Sequence, residues 1–219
     1  MNKKLITLAL TGLLLGSCTG SNNSHPDGEA TAQAATHKCI TPLPAGYDAD
    51  SLTDCTVEAA FTIADFDWKA QTLTMNVFAK NIYDVVDVQH LQAGDTLVLD
   101  GKPLVVSKIE ELEGMKVVNG GIEEGGAYLT PADGGTFVAT QLDDHPVYTR
   151  IGKATLPLAP GLVFIDCGEE PLEPADTVTS QAAQHIQALD GWRKEFTELN
   201  TQVLVQGGVV TQIARHWIP

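Results

Sequence analysis

Apolar residues occupy every second position along several stretches of this chain, which is the pattern of half-buried strands. The clearest stretch contains the alternating apolar residues Leu73, Met75, Val77 and Ala79. Residues 57–66 are also apolar with polar interruptions, and residues 67–71 carry the polar character of a turn. The pattern therefore predicts two consecutive strands joined by that turn.

The strongest hairpin signal is Asp100-Gly101, because this dipeptide tolerates the positive φ angles of a tight turn. Strand-like runs flank it within residues 88–109. Pro103 lies at the start of the return strand, where its missing N–H costs least. We expect this hairpin to be central, with further strands completing its sheet, since an isolated hairpin is only marginally stable.

Short apolar runs separated by turn residues continue along the chain, at 83–88, 115–118, 127–130, 136–142, 147–158 and 162–167. A second hairpin is predicted across Gly207-Gly208, between residues 201–206 and 209–218. Many short strands with turns between them are typical of a barrel or sandwich. The predicted fold class is mainly β, an antiparallel barrel-like or sandwich-like domain.

One stretch has a helical period instead. Val178, Ala182, Ile186 and Leu189 recur three or four residues apart, and Gly191 follows as a stop signal. Asp176 or Thr177 is suited to cap the segment. This predicts one amphipathic helix near 177–190, covering an open end or face of the sheet.

The N-terminus has the layout of a secretory signal. Lys3 and Lys4 precede an apolar run at 5–15, which is too short to span a bilayer. The run ends in Leu15-Gly16-Ser17-Cys18. An ordinary signal peptide with an incidental cysteine is one interpretation of this arrangement.

The other interpretation rests on a family resemblance, because Leu15-Gly16-Ser17-Cys18 resembles the lipobox of bacterial lipoproteins. The resemblance implies cleavage before Cys18, a diacylglycerol on its thiol and an acylated amine. At ~0.8 kcal/mol per buried methylene, two or three acyl chains anchor a protein stably. It also implies a location in the cell envelope, anchored to a membrane facing the periplasm or the cell surface, with the outer membrane favoured.

The remaining chain divides by composition. Residues 18–38 are small and polar, which predicts a flexible tether, and residues 39–219 are expected to form a single β-rich domain. Loss of residues 1–17 removes two lysines and no acid, so the formal charge moves from −15 to −17. Such an acidic chain repels nucleic acid, which we exclude as a partner.

Cys39 and Cys55 bracket a segment rich in Pro, Gly and Asp. In an oxidising envelope these two cysteines are candidates for a disulfide, which would stabilise the domain by about 3 kcal/mol. Two alternatives stay open from the sequence. Either Cys167 pairs with one of them, or all three are buried thiols.

Asp143, Asp144 and His145 form the one compact polar constellation. Two carboxylates and an imidazole are suited to bind a hard cation or to act as acid and base. However, neighbouring side chains on an extended segment point in opposite directions, and Asp and Pro favour turns. The constellation therefore also fits an exposed turn before Pro146.

Cys167 follows Asp166, and this Asp-Cys pair resembles the start of the catalytic motif of envelope peptidases of the NlpC/P60 type. That family has a helix after its cysteine, whereas Gly168, Glu169 and Glu170 follow here. Acidic neighbours raise the pKa of a thiol and so reduce its reactivity. A buried cysteine at a strand end is the alternative.

These observations favour a lipid-anchored, extracytoplasmic binding or structural module, which contacts an envelope protein or a carbohydrate and needs no cofactor. One alternative is an envelope hydrolase that uses Asp143, Asp144 and His145, or Cys167. Another is a calcium-stabilised adhesin-like module. Fold class cannot choose among them, because barrels and sandwiches host all three.

Overall fold

The computed structural model describes residues 36–141, 144–166, 176–178 and 181–218. Strands dominate and most strand pairs are antiparallel, so the predicted mainly β class is confirmed. In chain order the strands are β1 (Cys39–Ile40), β2 (Cys55–Thr62), β3 (Phe66–Asp67), β4 (Thr72–Lys80), β5 (Ile82–Asp84), β6 (Thr96–Leu99), β7 (Lys102–Val105), β8 (Ile109–Leu112), β9 (Met115–Val118), β10 (Ala127–Ala132), β11 (Thr136–Thr140), β12 (Tyr148–Asp166), β13 (Asp176–Val178), β14 (Glu195–Phe196), β15 (Thr201–Gln206) and β16 (Val209–Arg215). The α-helices are α1 (Val85–Gln89) and α2 (Ala182–Ala188), and 3-10 turns lie at Ile63–Asp65, Ile122–Glu124 and Gly191–Lys194.

The largest sheet closes on itself. Its strands pair in the order β12, β16, β15, β2 and β4, and β4 pairs again with β12. We call these five strands the ring body. Closure leaves no free edge within the ring, because each of the five strands has a partner on both sides. The barrel-like expectation therefore fits this part of the chain.

The ring closes because β12 changes partner along its length. Its first half runs antiparallel to β4, and its second half runs parallel to β16 with a register shift between Leu158 and Val163. Pro160 and Gly161 lie in that shift. The sequence predicted two strands here, whereas the structure has one. The Pro-Gly pair bends the strand at a corner where the ladder is interrupted, and does not end it.

Alternation along the ring strands places apolar side chains inside, since Leu73, Met75 and Val77 are at most 1% exposed.

The C-terminal hairpin is confirmed, with Gly207 and Gly208 at positive φ between β15 and β16.

The predicted helix is present but shorter than expected. Helix α2 covers Ala182–Ala188 and buries Ala182 and Ile186 in the ring core. The residues expected to cap it, with Val178, instead form β13, which pairs antiparallel with the end of β12. The end of β12 offers unpaired backbone groups there, and pairing satisfies them.

The described residues of 81–147 form a second body between β4 and β12, at the point where Lys80 pairs with Tyr148. One of its sheets has the order β5-β11-β10-β9-β8, and the other has the order β1-β6-β7. We call residues 81–147 together with β1 the inserted body. The two sheets enclose a separate core that includes Tyr83, Leu97 and Leu129.

The Asp100-Gly101 hairpin is confirmed, because both residues have positive φ and Leu99 pairs with Lys102. The expected central position of this hairpin is wrong, since it belongs to the three-stranded sheet of the inserted body. The segment before it also differs from the expected strand. Asp84 accepts a hydrogen bond from the Val86 amide and thereby caps helix α1.

Asn81 joins the two bodies and is 1% exposed. Its Nδ2 donates to Thr149 Oγ1 at 2.8 Å, and its Oδ1 accepts from the Asp100 amide at 2.8 Å. Its backbone amide donates to Val147 O at 2.9 Å. One buried amide side chain therefore connects the start of β12 to the turn of the inserted hairpin.

Candidate functional site

A row of paired side chains, which we call the Glu58 row, crosses the outer face of the ring body. Gln202 pairs with Glu58, Glu58 pairs with Phe78, and Phe78 pairs with Arg150. Directly paired residues share a face of the sheet. Since the neighbours of Glu58, Val57 and Ala59, are buried in the core, this row faces outward.

Glu58 is the acidic centre of the row. Its Oε1 lies 3.3 Å from Lys80 Nζ and accepts from Gln202 Nε2 at 3.2 Å. The side chain of Glu58 is only 13% exposed, against 39% for Lys80. The carboxylate is therefore held between strands β4 and β15 with little freedom.

Two tyrosines lie near this carboxylate. The Tyr47 hydroxyl donates to Phe78 O at 2.6 Å, and burial, with Glu58 next in importance, raises the pKa of Tyr47 above its ordinary value. Burial also raises the pKa of Tyr148, and the negative charges of Glu58 and Glu198 add to that effect. Both phenols therefore stay protonated at neutral pH, so each hydroxyl is able to donate a hydrogen bond.

A first groove, of about 510 Å³, lies beside the segment 42–46, where the Leu43 amide donates to Ile82 O at 2.6 Å. Its polar lining includes Tyr47, Glu58 and Lys80. The rest of its wall is largely apolar, with Leu43, Pro44 and Ile82 among its members.

A second groove, of about 360 Å³, lies where the two bodies meet. The ring body contributes Phe78, Tyr148 and Arg150 to its wall. The inserted body contributes Leu99, Ile122 and Gln141, and Glu198 closes the groove from the segment before β15. Aromatic surface and hydrogen-bonding groups therefore face one another across a small space.

The predicted polar constellation does not line either groove through the two members that the structure describes, Asp144 and His145. Asp144 is exposed with φ of 61°, and the Gln141 amide donates to His145 O at 2.7 Å. A positive φ at Asp144 and a backbone hydrogen bond at His145 are typical of turn residues. Asp143 lies outside the described residues.

The disulfide expected between Cys39 and Cys55 is not formed, and both residues are free thiols. Cys39 pairs with Thr96 in the inserted body, and Cys55 pairs with Val205 in the ring body. The two cysteines therefore belong to strands of different sheets, which explains why the loop between them does not bring them together. Cys18 and Cys167 lie outside the described residues.

Among the described residues, no group of three or more His, Cys, Asp and Glu side chains is arranged to hold a metal ion. No protein-family model, curated protein or solved structure matches this chain. The candidate site therefore has to be interpreted from its own geometry.

The sequence patterns did not reveal that Phe78 lies beside Glu58 and Arg150 on the outer face. Period-two alternation in β4 identifies the outward position. The partners across the row come from strands far apart in the chain, so only the strand register reveals them.

Proposed function

We propose that this chain is a lipid-anchored, extracytoplasmic binding or structural module of the cell envelope. The observation that carries the proposal is the N-terminal sequence, in which Lys3, Lys4 and a short apolar run precede Leu15-Gly16-Ser17-Cys18. By its resemblance to a lipobox, this segment supplies an acylated Cys18 and a stable membrane anchor. We place the anchor in the outer membrane.

No helix in the described part of the chain has the length and apolar character to cross a bilayer. Within this proposal, acyl chains on Cys18 hold the protein at the membrane, and residues 18–38 link them to the β-rich part.

The binding role is supported by the two grooves beside the Glu58 row. Small-molecule and glycan sites are concave, with a few converging polar groups on a largely preformed wall, commonly at the meeting of two structural units. The second groove has this position and composition. The partner is an envelope protein or a carbohydrate, and nucleic acid is excluded because the chain carries 28 acidic against 13 basic residues.

The hydrolase and calcium alternatives receive no support from the placement of Asp144 and His145, the two of their candidate residues that the structure describes. A hydrolase requires a nucleophile or an acid–base pair within one cleft. Asp144 and His145 lie at an exposed turn instead, and neither groove contains a histidine or a cysteine among its described wall residues.

The test is metabolic labelling of the full chain with a palmitate analogue in a bacterial host. We expect the wild type to be labelled and to fractionate with membranes, and Cys18→Ala to be unlabelled and released from them. Cys39→Ala is the matched control, because Cys39 is also an exposed thiol and its loss should leave the label unchanged. Equal behaviour of wild type and Cys18→Ala would refute the anchor.

A further inference from the structure

The second groove contains several hydrogen-bonding side chains that the protein itself leaves unused. Within the part of the chain that the structure describes, the Tyr148 hydroxyl, the Glu198 carboxylate and the Gln141 side-chain amide have no hydrogen-bond partner. Arg150 uses only its Nε, which donates to Gly152 O at 3.4 Å, so its two terminal nitrogens are unpaired. Donors and acceptors therefore converge on one space without satisfying one another.

Aromatic surface lies beside these groups. Phe78 and Tyr148 are both half-buried, and the strand register puts Phe78 opposite Arg150 and Tyr148 opposite Lys80 on the same outward face. Each ring is thus fixed by its strand while part of it remains accessible. A half-exposed ring offers a flat apolar platform, and the tyrosine also offers a polar hydroxyl.

The charges in the groove are mixed. Arg150 is cationic, Glu198 is anionic, and Asp100 is paired with Lys102 at 2.9 Å. A phosphate would be repelled by the carboxylates of Asp100 and Glu198. An acyl chain would cover the polar groups and leave them without hydrogen-bond partners. A polyol has neither problem, because each of its hydroxyls both donates and accepts. Its C–H faces also pack on aromatic rings.

We propose that the second groove binds a neutral saccharide unit, with Tyr148 and Phe78 as the platform and with Arg150, Glu198 and Gln141 bonding its hydroxyls. This inference rests on the proposed function, since it names the ligand class of that binding module. The volume of about 360 Å³ suits one or two sugar rings of a longer glycan that extends beyond the groove.

The test is calorimetric titration of the full chain, purified as its bacterial host produces it, in a detergent without a sugar headgroup. The titrants are maltotriose, cellotriose and the trimer of N-acetylglucosamine. We expect saturable binding of at least one trisaccharide. Tyr148→Ala should weaken it at least tenfold, and Tyr148→Phe should weaken it less, because the ring is kept and only the hydroxyl is lost.

Arg150→Met and Glu198→Gln should each weaken binding at least threefold. The matched controls are Tyr128→Ala and Glu195→Gln, which change the same residue types outside the groove and should alter affinity less than twofold. A thermal melt of each variant separates loss of binding from loss of folding.

Three results would overturn the proposal. They are no binding of any trisaccharide to the folded wild type, equal losses in Tyr148→Ala and Tyr128→Ala, or binding of the zwitterion glycylglycine in the groove in preference to the sugars. Failure of the lipid anchor is a separate result, because an unlabelled Cys18 would leave this titration unchanged.

Discussion

The ring body and the inserted body differ in how the unpaired edges of their sheets are avoided or protected. In the ring, β12 pairs with both β4 and β16, so the five strands have no open side. In the inserted body, β7 and β8 end their sheets as edge strands. Open edges invite pairing with other chains, and charges or proline discourage it. Lys102 and Pro103 begin β7, and Glu110 and Glu111 lie in β8.

This difference bears on where the candidate site lies. The ring body provides a rigid outer face, on which the register fixes Phe78, Tyr148 and Arg150. The inserted body emerges beside that face and adds Leu99 from the end of β6, Ile122 from a 3-10 turn, and further wall residues from loops. A rigid platform with a wall of turns is a common arrangement for a binding site. Variants in each body should therefore differ in unfolding free energy and in amide hydrogen exchange.

The largest expected effect lies in the ring body, at the buried ion pair of Arg215 and Asp166, which are 4% and 6% exposed. Arg215 bonds both carboxylate oxygens of Asp166, and its guanidinium lies 5.2 Å from the Phe196 ring centroid. Arg215→Met should lower the free energy of unfolding by about 3–5 kcal/mol, because it removes the buried ion pair between Arg215 and Asp166. Urea denaturation measures the change.

The matched control for that prediction is Lys102→Met, which breaks an ion pair whose side chains are 80% and 50% exposed. It should cost about 0–1 kcal/mol, as surface pairs do. If the two variants lose similar amounts of unfolding free energy, the buried ion pair does not stabilise the ring body more than a surface pair does.

The next largest loss of stability is expected when a leucine in either core is shortened to alanine. Leu73 in the ring and Leu129 in the inserted body are both fully buried. Each change to alanine should cost about 2–5 kcal/mol. Because the inserted body has its own core, Leu129→Ala should speed amide hydrogen exchange within 82–147 and leave the ring strands protected. Equal loss of protection in β4 and β12 would show that the two bodies unfold as one unit.

A smaller effect is expected at the junction. Asn81→Ala removes the partners of the Asp100 amide and of Thr149 Oγ1, which should cost about 1–3 kcal/mol. Faster exchange of the Asp100 amide would localise the change. Thr149→Val removes only one of the two bonds and should cost less. If it costs as much as Asn81→Ala, the link from Asn81 to the hairpin turn contributes nothing.

The smallest effect at neutral pH is expected for Tyr83→Phe. The Tyr83 hydroxyl donates to Val98 O at 2.7 Å inside the inserted body, so its loss should cost about 1 kcal/mol. Burial raises the pKa of Tyr83 above its ordinary value of 10.0. The unfolded chain therefore loses this proton first, and wild-type stability should fall as the pH rises above 10.

Tyr83→Phe should flatten that alkaline decline, as measured by unfolding free energy against pH. Tyr128→Phe is the comparison, because its hydroxyl bonds Glu123 near the surface, and it should flatten the decline less. An unchanged alkaline profile in Tyr83→Phe would contradict the assignment to Tyr83.

Local patterns were sufficient for much of the fold. Alternation at Leu73, Met75 and Val77 identified the buried face of β4, and Asp100-Gly101 identified its hairpin, because both signals act over a few residues. The same reasoning mistook α1 for a strand, since its Asp84 cap is a single-residue signal among β-branched neighbours. It also divided β12 at Pro160, because proline and glycine occur both where a strand bends and where a strand ends.

The candidate site was less accessible to sequence reasoning. Asp144 and His145 attracted attention because they are adjacent in the chain, yet they form a turn. The Glu58 row joins residues from four strands, up to 144 positions apart for Glu58 and Gln202. Such a set has no local signature.

The amino-acid sequence alone determined the mainly β class and the tight hairpins, because each depends on the intrinsic preferences of neighbouring residues. The lipobox-like N-terminal segment stays a prediction. Only the tertiary structure decided the closure of the ring through β12, the separation of Cys39 from Cys55, and the meeting of Phe78, Tyr148 and Glu198 in one groove. The physical reason is that these features depend on strand register, which is set by the packing of distant segments around two cores.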